Sequence, residues 1–200
     1  MILSDTDIKN YIKLGKLKIE SPRNHLFNID GLSIQQNGLD CRIGNTIAID
    51  KTVTTMYQDE KQKRHGDPFD ECVIDTHNQD SINSRFKTEM FDSIVIQPRT
   101  NILLVTEEEF EFPDDLMAFC GLRSSVARNG FIAPITIVDA GFKGTLTIEL
   151  FYGGNNPIKI YAGDRFLHMI FAKTNSPVQF PYNGFYNGQK TVNLPKTLDD

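Results

Sequence analysis

The chain has 200 residues, room for one domain, and its 21 Lys plus Arg against 26 Asp plus Glu leave a formal charge of −5. That balance excludes a chain built mainly for nonspecific duplex binding, which needs a basic surface, but it leaves room for a small anionic ligand held by a local Arg cluster. Apolar residues at 40%, with 14 Gly and 9 Pro, exclude collagen-like and low-complexity classes and supply a core large enough to fold alone. Along the chain, Ser4 is followed three residues later by Asp7, then Ile8, Tyr11 and Ile12 recur at helical spacing before Gly15. This pattern predicts a short helix over 5–14. The apolar period then changes to two. Strands are predicted at Lys16–Ile19, Leu39–Ile49, Ser93–Gln97, Ile102–Phe112, Leu116–Leu122, Ile135–Val138, Thr145–Tyr152, Ile158–Tyr161 and Arg165–Lys173, punctuated by Gly, Pro, Asn and Asp. Many short strands and little helix predict a mainly β sandwich or barrel. Residues 51–91 are charged and poorly alternating, which predicts a polar insertion, either a solvated loop with a small hairpin or an interaction arm. Residues 179–200 form a tail outside the last strand of a single domain, 1–200.

Cys41, Cys72 and Cys120 form no CxxC pair, and their odd number argues against a disulfide framework and for a reducing compartment. A charge at Asp5 interrupts any signal-peptide core, and Pro134 and Thr136 interrupt the longest apolar stretch. No membrane span and a cytoplasmic location are therefore expected.

Three segments carry chemistry. In Leu122-Arg123-Ser124-Ser125-Val126-Ala127-Arg128-Asn129-Gly130, two Arg and two Ser follow an apolar strand; if a short helix starts there, hydroxyls, backbone N–H groups and guanidiniums converge as an anion site. Surface Arg with an N-cap Ser is the plain alternative. In Ile137–Leu150, a strand, a tight turn and a second strand are predicted, with Leu146, Ile148 and Leu150 on one face and Thr145, Thr147 and Glu149 on the other. Glu149 sits among Ile148, Leu150, Phe151 and Tyr152, so desolvation is expected to raise its pKa toward that of a general base; an outward Glu on an edge strand is the alternative. The third segment, Pro181–Lys190, is aromatic, polar and Gly-rich: a lid over a ligand or a frayed terminus. His168 reads as an ordinary strand histidine. The zinc-deaminase pattern, Walker A, GxSxG and GxGxxG are absent.

Taken together, MILSDTDI, GLDCRIG at 38–44, LRSSVARNG, IVDAGFKGTLTIEL and PYNGFYNGQ resemble, in order, the motifs of the archaeal-type dCTP deaminases of the trimeric dUTPase superfamily. The resemblance implies a distorted β-barrel or jelly-roll of the dUTPase-like type with a short N-terminal helix, forming a homotrimer with active sites at subunit interfaces. It implies dCTP as substrate, dUTP and ammonia as products, and Mg²⁺ bound through the triphosphate rather than a metal held by the protein. The segment Arg123, Ser124, Ser125, Val126, Ala127 and Arg128 would bind substrate, with the two Arg and two Ser holding phosphates and helping order the catalytic water. Asp139 would receive the 3′-hydroxyl and Phe142 would lie beside the deoxyribose. Thr147 and Ile148 would meet the base through their backbone, Glu149 would be general base and acid, and Tyr182 and Gln189 would close over the triphosphate. Inhibition by dTTP is a further expectation of the family; nucleic-acid and membrane partners are not.

Two departures stand out. Phe185 occupies the place where the family often carries a Lys, and Ala133-Pro134-Ile135-Thr136 is short and lacks a His-Thr-Ala run. The second leaves open a bifunctional enzyme or a dUTPase that releases dUMP and diphosphate, with Asp139 helping to activate water. A non-catalytic sensor would be expected to lack Glu149 or Arg128, and both are present.

Overall fold

In the computed structural model, which describes residues 1–21, 29–51 and 73–199, helix α1 (Asp5–Lys13) begins where its capping pattern places it. Ser4 Oγ accepts the Asp7 N–H at 3.3 Å, Asp7 Oδ2 accepts the Ser4 N–H at 3.1 Å, and Ile8 is buried. The strands are β1 (Lys18–Glu20), β2 (Ile34–Gln35), β3 (Gly38–Asp50), β4 (Phe86–Met90), β5 (Ser93–Ile96), β6 (Thr100–Glu111), β7 (Leu116–Leu122), β8 (Phe131–Ile132), β9 (Thr136–Val138), β10 (Lys143–Tyr152), β11 (Ile158–Tyr161) and β12 (Arg165–Lys173). Two further helices are α2 (Gln79–Ser84) and α3 (Ser124–Arg128). Strands β7, β11 and β12 run as predicted, and the other predicted strands differ only at their ends. The pairs β2 and β8 are too short to show a period.

The described part of the predicted insertion, 73–91, is not simply a solvated loop. Asn78 caps α2 through its side chain, and β4 pairs antiparallel with β3 from Thr46↔Met90 to Asp50↔Phe86. Ile82, Phe86 and Phe91 are the buried residues that tie this stretch down. The remainder, including the KQKRHGD run, lies outside the described residues.

One sheet runs in the order β8-β10-β6-β3-β12-β7-β9, with β1, β2 and β4 attached at its margins and β5 paired separately with β11. Strand β3 makes the fold. Its first residues, Leu39–Arg42, pair with β12, while Ile43–Ile49 pair with β6. The sheet therefore curls through β3 into a mostly β half-barrel around one core that includes Leu39, Cys41, Leu104, Phe110, Ile148 and Phe171. No helix among the described residues is long and apolar enough to cross a membrane.

Strand β6 is buried on both faces because the C-terminal tail crosses its outer side. Ile102 and Leu104 face the main core, whereas Leu103 and Val105 join Ala48, Phe86 and Val192 in a second cluster, with Leu194 packed against it. The tail is thus neither frayed nor loose in this conformation. Truncation after Val178 is expected to expose this cluster and lower stability by about 2–4 kcal/mol, the scale of one buried and one half-buried aliphatic side chain, Val192 and Leu194. Chemical denaturation of the truncated protein checks it.

The acidic run in β6 is also partly internal. Glu108 is buried, accepts the Arg42 N–H at 2.9 Å, and is pushed up to about 7 by burial, which outweighs that hydrogen bond. A carboxyl whose folded pKa is raised holds its proton in the native state while the unfolded chain has lost it, so its stabilising contribution is present at low pH and fades as pH rises through about 4.5 to 7. The wild-type unfolding free energy is expected to fall with pH across that window more steeply than that of Glu108→Gln, by up to about 1.4 kcal/mol per pH unit. Parallel melting curves at graded pH measure the difference.

Candidate active site

Strand β10 organises the site. Its apolar alternation is as predicted: Leu146, Ile148 and Leu150 are buried, and Glu149 is exposed on the opposite face beside half-buried Thr147. The backbone alternates as well. Leu146 N–H donates to Thr106 Oγ1 of β6 at 2.9 Å, while Thr145 N–H donates to Gln189 O at 2.9 Å on the other edge. Even-numbered residues therefore turn their backbone toward β6 and odd-numbered ones toward the outer edge. On that edge β8 pairs only with Phe151 and Tyr152, and the tail bridges at Gly144. Between them, the backbone of Thr147 and Glu149 forms an edge that no described strand covers.

This geometry corrects two expectations. Ile148 is fully buried and its backbone faces Leu104 of β6, so Thr147 and Glu149 offer the open backbone groups. Glu149 is not desolvated by its own chain, because Ile148, Leu150 and Tyr152 alternate to the core face and only Phe151 shares its side.

At the far end of β10, α3 leads through Gly130 into β8, whose Ile132 pairs with Phe151. Ser124, Ser125, Ala127 and Arg128 are exposed and Val126 is half-buried against the core. Arg123 caps the helix from outside it and is only partly available to a ligand: its Nε pairs with Asp40 Oδ2 at 2.9 Å and its Nη1 donates to Arg165 O at 3.4 Å. Glu149 thus lies on the strand to which β8 joins a helix that presents two hydroxyls and a guanidinium.

The other end of β10 gathers a second group. Asp139 is exposed at the end of β9 and accepts the Phe142 N–H through its carbonyl at 3.1 Å. Gly141, at φ 89°, lets the tail lie close; a Cβ there would stand 2.5 Å from Pro181 Cβ. Tyr182 N–H donates to Ala140 O at 2.8 Å, and its ring centroid lies 5.9 Å from that of Phe142. Phe142 is therefore buried, with the Tyr182 ring against it. Gln189 is spent within the chain: its Nε2 donates to Thr145 O at 2.5 Å and its Oε1 accepts from Asn193 at 2.7 Å. Lys190 pairs with Glu109, and Phe185 is exposed.

Sequence reading missed Asn193, whose N–H donates to Thr147 Oγ1 at 3.1 Å, and missed the partners of Asp40. The signals for Asp40 were its place in the GLDCRIG motif and a charge set in a largely apolar strand.

The family model described as dCTP deaminase-like matches residues 2–174. The chain belongs to the dCTP deaminase-like family. Among its relatives in that family, the dCTP deaminase of Sulfurisphaera tokodaii is 43% identical over 98% of this chain and 92% of its own length. The dCTP deaminase of Korarchaeum cryptofilum is 41% identical over 100% and 99%. A probable deoxyuridine 5′-triphosphate nucleotidohydrolase of Sulfolobus islandicus rod-shaped virus 1 is 40% identical over 98% and 99%. The crystal structure of the 2′-deoxycytidine 5′-triphosphate deaminase from Agrobacterium tumefaciens shares the fold at a TM-score of 0.56 and 19% identity, over 85% of this chain and 46% of that one. This chain therefore spans under half of that protein's length.

Proposed function

We propose that this member of the dCTP deaminase-like family converts dCTP and water to dUTP and ammonia, with Glu149 as general base and acid. The observation that carries the assignment of roles is the position of Glu149, a lone carboxylate exposed on the outer face of β10, the strand to which β8 joins the segment bearing the exposed hydroxyls and guanidinium of α3. Glu149 takes a proton from water as the oxygen attacks C4 of the cytosine. That proton passes to N3, Glu149 then moves the remaining proton of the attacking oxygen to the amino group, which leaves as ammonia, and C4 becomes the carbonyl of uracil. Ser124, Ser125 and Arg128 hold phosphates and steady the attacking water, and the open backbone of Thr147 and Glu149 offers hydrogen bonds to the base.

Spacing along β10 supports a site shared between copies. Phe142 and Glu149 lie seven residues apart on an extended chain, roughly 23 Å at 3.3 Å per residue. The deoxyribose and C4 of one nucleotide are far closer than that, so the Asp139–Tyr182 group of one chain is assigned to complete the Glu149–α3 group of another. A homotrimer is the assembly this implies. The apolar row of exposed Ile137 and Phe119 and half-buried Ile170, in register across β9, β7 and β12, supplies a face for contact between copies.

Mg²⁺ belongs on the substrate in this reading. The α3 segment offers hydroxyls and a guanidinium but no carboxylate, which suits a metal–triphosphate complex rather than a bare ion. dTTP, with the same sugar and triphosphate, is expected to compete. The cytoplasm is the compartment assigned.

The viral relative named as a nucleotidohydrolase favours a second reading, in which dUTP is cleaved further to dUMP and diphosphate. Incubation with dCTP and Mg²⁺ separates them: ammonia with dUTP supports the first, ammonia with dUMP and diphosphate the second, and no product removes both. Arg128→Ala is expected to raise KM and lower kcat/KM by about 10–150-fold, the value of a charge-assisted hydrogen bond of roughly 1.5–3 kcal/mol. Steady-state kinetics with unchanged constants removes Arg128 from the site.

A further inference from the structure

Asp40 takes no part in the chemistry above, yet its burial needs an explanation. It is 3% exposed, and an ionised carboxylate so placed is tolerated only when its oxygens are paired. Its partners come from elements far apart in the chain. Oδ2 forms an ion pair with Arg123 Nε at 2.9 Å and accepts Arg165 Nη1 at 3.4 Å; Oδ1 accepts His168 Nδ1 at 2.9 Å. His168 is the registered cross-strand neighbour of Asp40 on β12. Gly38 makes room for the imidazole: a Cβ there would stand 2.7 Å from His168 Nε2 and 2.4 Å from Met169 O. Arg165 is fixed in turn, donating to Ser33 Oγ at 3.1 Å. Arg123 is the one member of this cluster that belongs to the substrate segment, and it stands at the N-cap of α3 with its backbone N–H on Phe166 O at 3.0 Å.

We propose that Asp40 is a positioning residue for the phosphate-binding turn: it fixes the Arg123 side chain at the mouth of α3, and Arg165 and His168 hold Asp40 in place. The inference rests on the reading of α3 as the phosphate site. An Arg tethered through Nε has lost most of its rotamer freedom before the ligand arrives, so its contact with a phosphate costs less ordering than a free surface Arg would require. Asp40 therefore acts on substrate affinity through Arg123, not on the chemical step.

The test compares wild type, Asp40→Asn, Arg123→Ala and the double variant. Kinetics are measured with dCTP and dCDP, and binding of inorganic triphosphate is measured by calorimetry, a readout that does not need deamination. In Asp40→Asn the dCTP KM and the triphosphate Kd are expected to rise at least about tenfold, the scale of one lost charge-assisted contact, with kcat little changed. The preference for dCTP over dCDP should narrow, and the double variant should lose no more than Arg123→Ala alone. An Asp40 that only supports the fold lowers the melting temperature but leaves KM, the triphosphate Kd and the dCTP/dCDP preference at wild-type values in the folded fraction; that result overturns the proposal. If Asp40→Asn does not fold, His168→Leu and His168→Gln decide: a raised triphosphate Kd in the first, restored in the second, supports it, and wild-type values in both overturn it. A wild-type protein that binds triphosphate but releases no ammonia from dCTP overturns the deaminase reading alone, and the Kd comparison still decides the role of Asp40.

Discussion

Glu149→Gln is expected to abolish deamination of dCTP while leaving dCTP binding nearly intact. Gln keeps the shape and hydrogen-bonding reach of Glu but cannot take a proton from water. Loss of a general base costs at least roughly 10²–10⁴-fold in rate. The fold should not suffer, because Glu149 is exposed on the outer face of β10 and the burial that anchors this strand comes from Leu146, Ile148 and Leu150 behind it. A surface substitution of this kind changes stability by about 0.5 kcal/mol or less. Ammonia release under single-turnover conditions, together with calorimetric titration of dCTP, separates the two effects. Near-normal turnover in the variant would sink the mechanism, and loss of binding equal to the loss of rate would make Glu149 a binding residue only.

Two inactive variants are expected to restore one another. Glu149→Gln damages the catalytic end of β10, and Asp139→Ala damages the turn group at the other end. If each site takes Glu149 from one copy and Asp139 from its neighbour, a mixed assembly contains interfaces in which both are intact. Random mixing in equal amounts in a cyclic oligomer makes about a quarter of the interfaces competent. Co-expression or refolding of the two chains together should therefore recover about that fraction of wild-type activity, while each variant alone stays inactive. No recovery in a mixture proven to contain both chains in one assembly places the whole site on a single chain. Light scattering on the wild-type protein reports the assembly directly, and an active monomer contradicts a shared site outright.

The face on which Glu149 lies was legible in the sequence because strand alternation is a rule about neighbours: Leu146, Ile148 and Leu150 must share one side and Thr147 and Glu149 the other. The same rule misjudged its environment. Counting Ile148, Leu150 and Tyr152 as neighbours in sequence suggested desolvation, yet alternation sends those side chains through the sheet to the opposite face. Phe142 and Gln189 were read as ligand contacts on motif alone. The structure buries the first under Tyr182 and satisfies both ends of the second against Thr145 and Asn193. The tail offered no period to read because its order comes from outside itself, from Val192 seated between Leu103 and Val105 and from Asn193 on Thr147. Residues 73–91 misled for a similar reason: a polar stretch can still pair as a strand when one edge of β3 is open to it.

By itself, the sequence determined the mainly β character of this protein, the capped helix at its start, the position of most strands and the order of the motifs that mark its family. All of these are local properties, decided by the spacing of apolar residues, by turn and cap residues, and by short runs of characteristic side chains. Only the tertiary structure decided which of those residues meet. Asp40 and His168 stand 128 positions apart, and Thr145 and Gln189 stand 44 apart. Their contacts follow from the register of β3 on β12 and from the path of the tail over β10 and β6, which no window of neighbouring residues contains. The same packing set the fate of each polar group, because a carboxylate in a strand reads alike whether it ends in solvent, as Glu149 does, or against two guanidiniums and an imidazole, as Asp40 does. Burial and pairing are properties of the assembled sheet, and they give two similar side chains different roles.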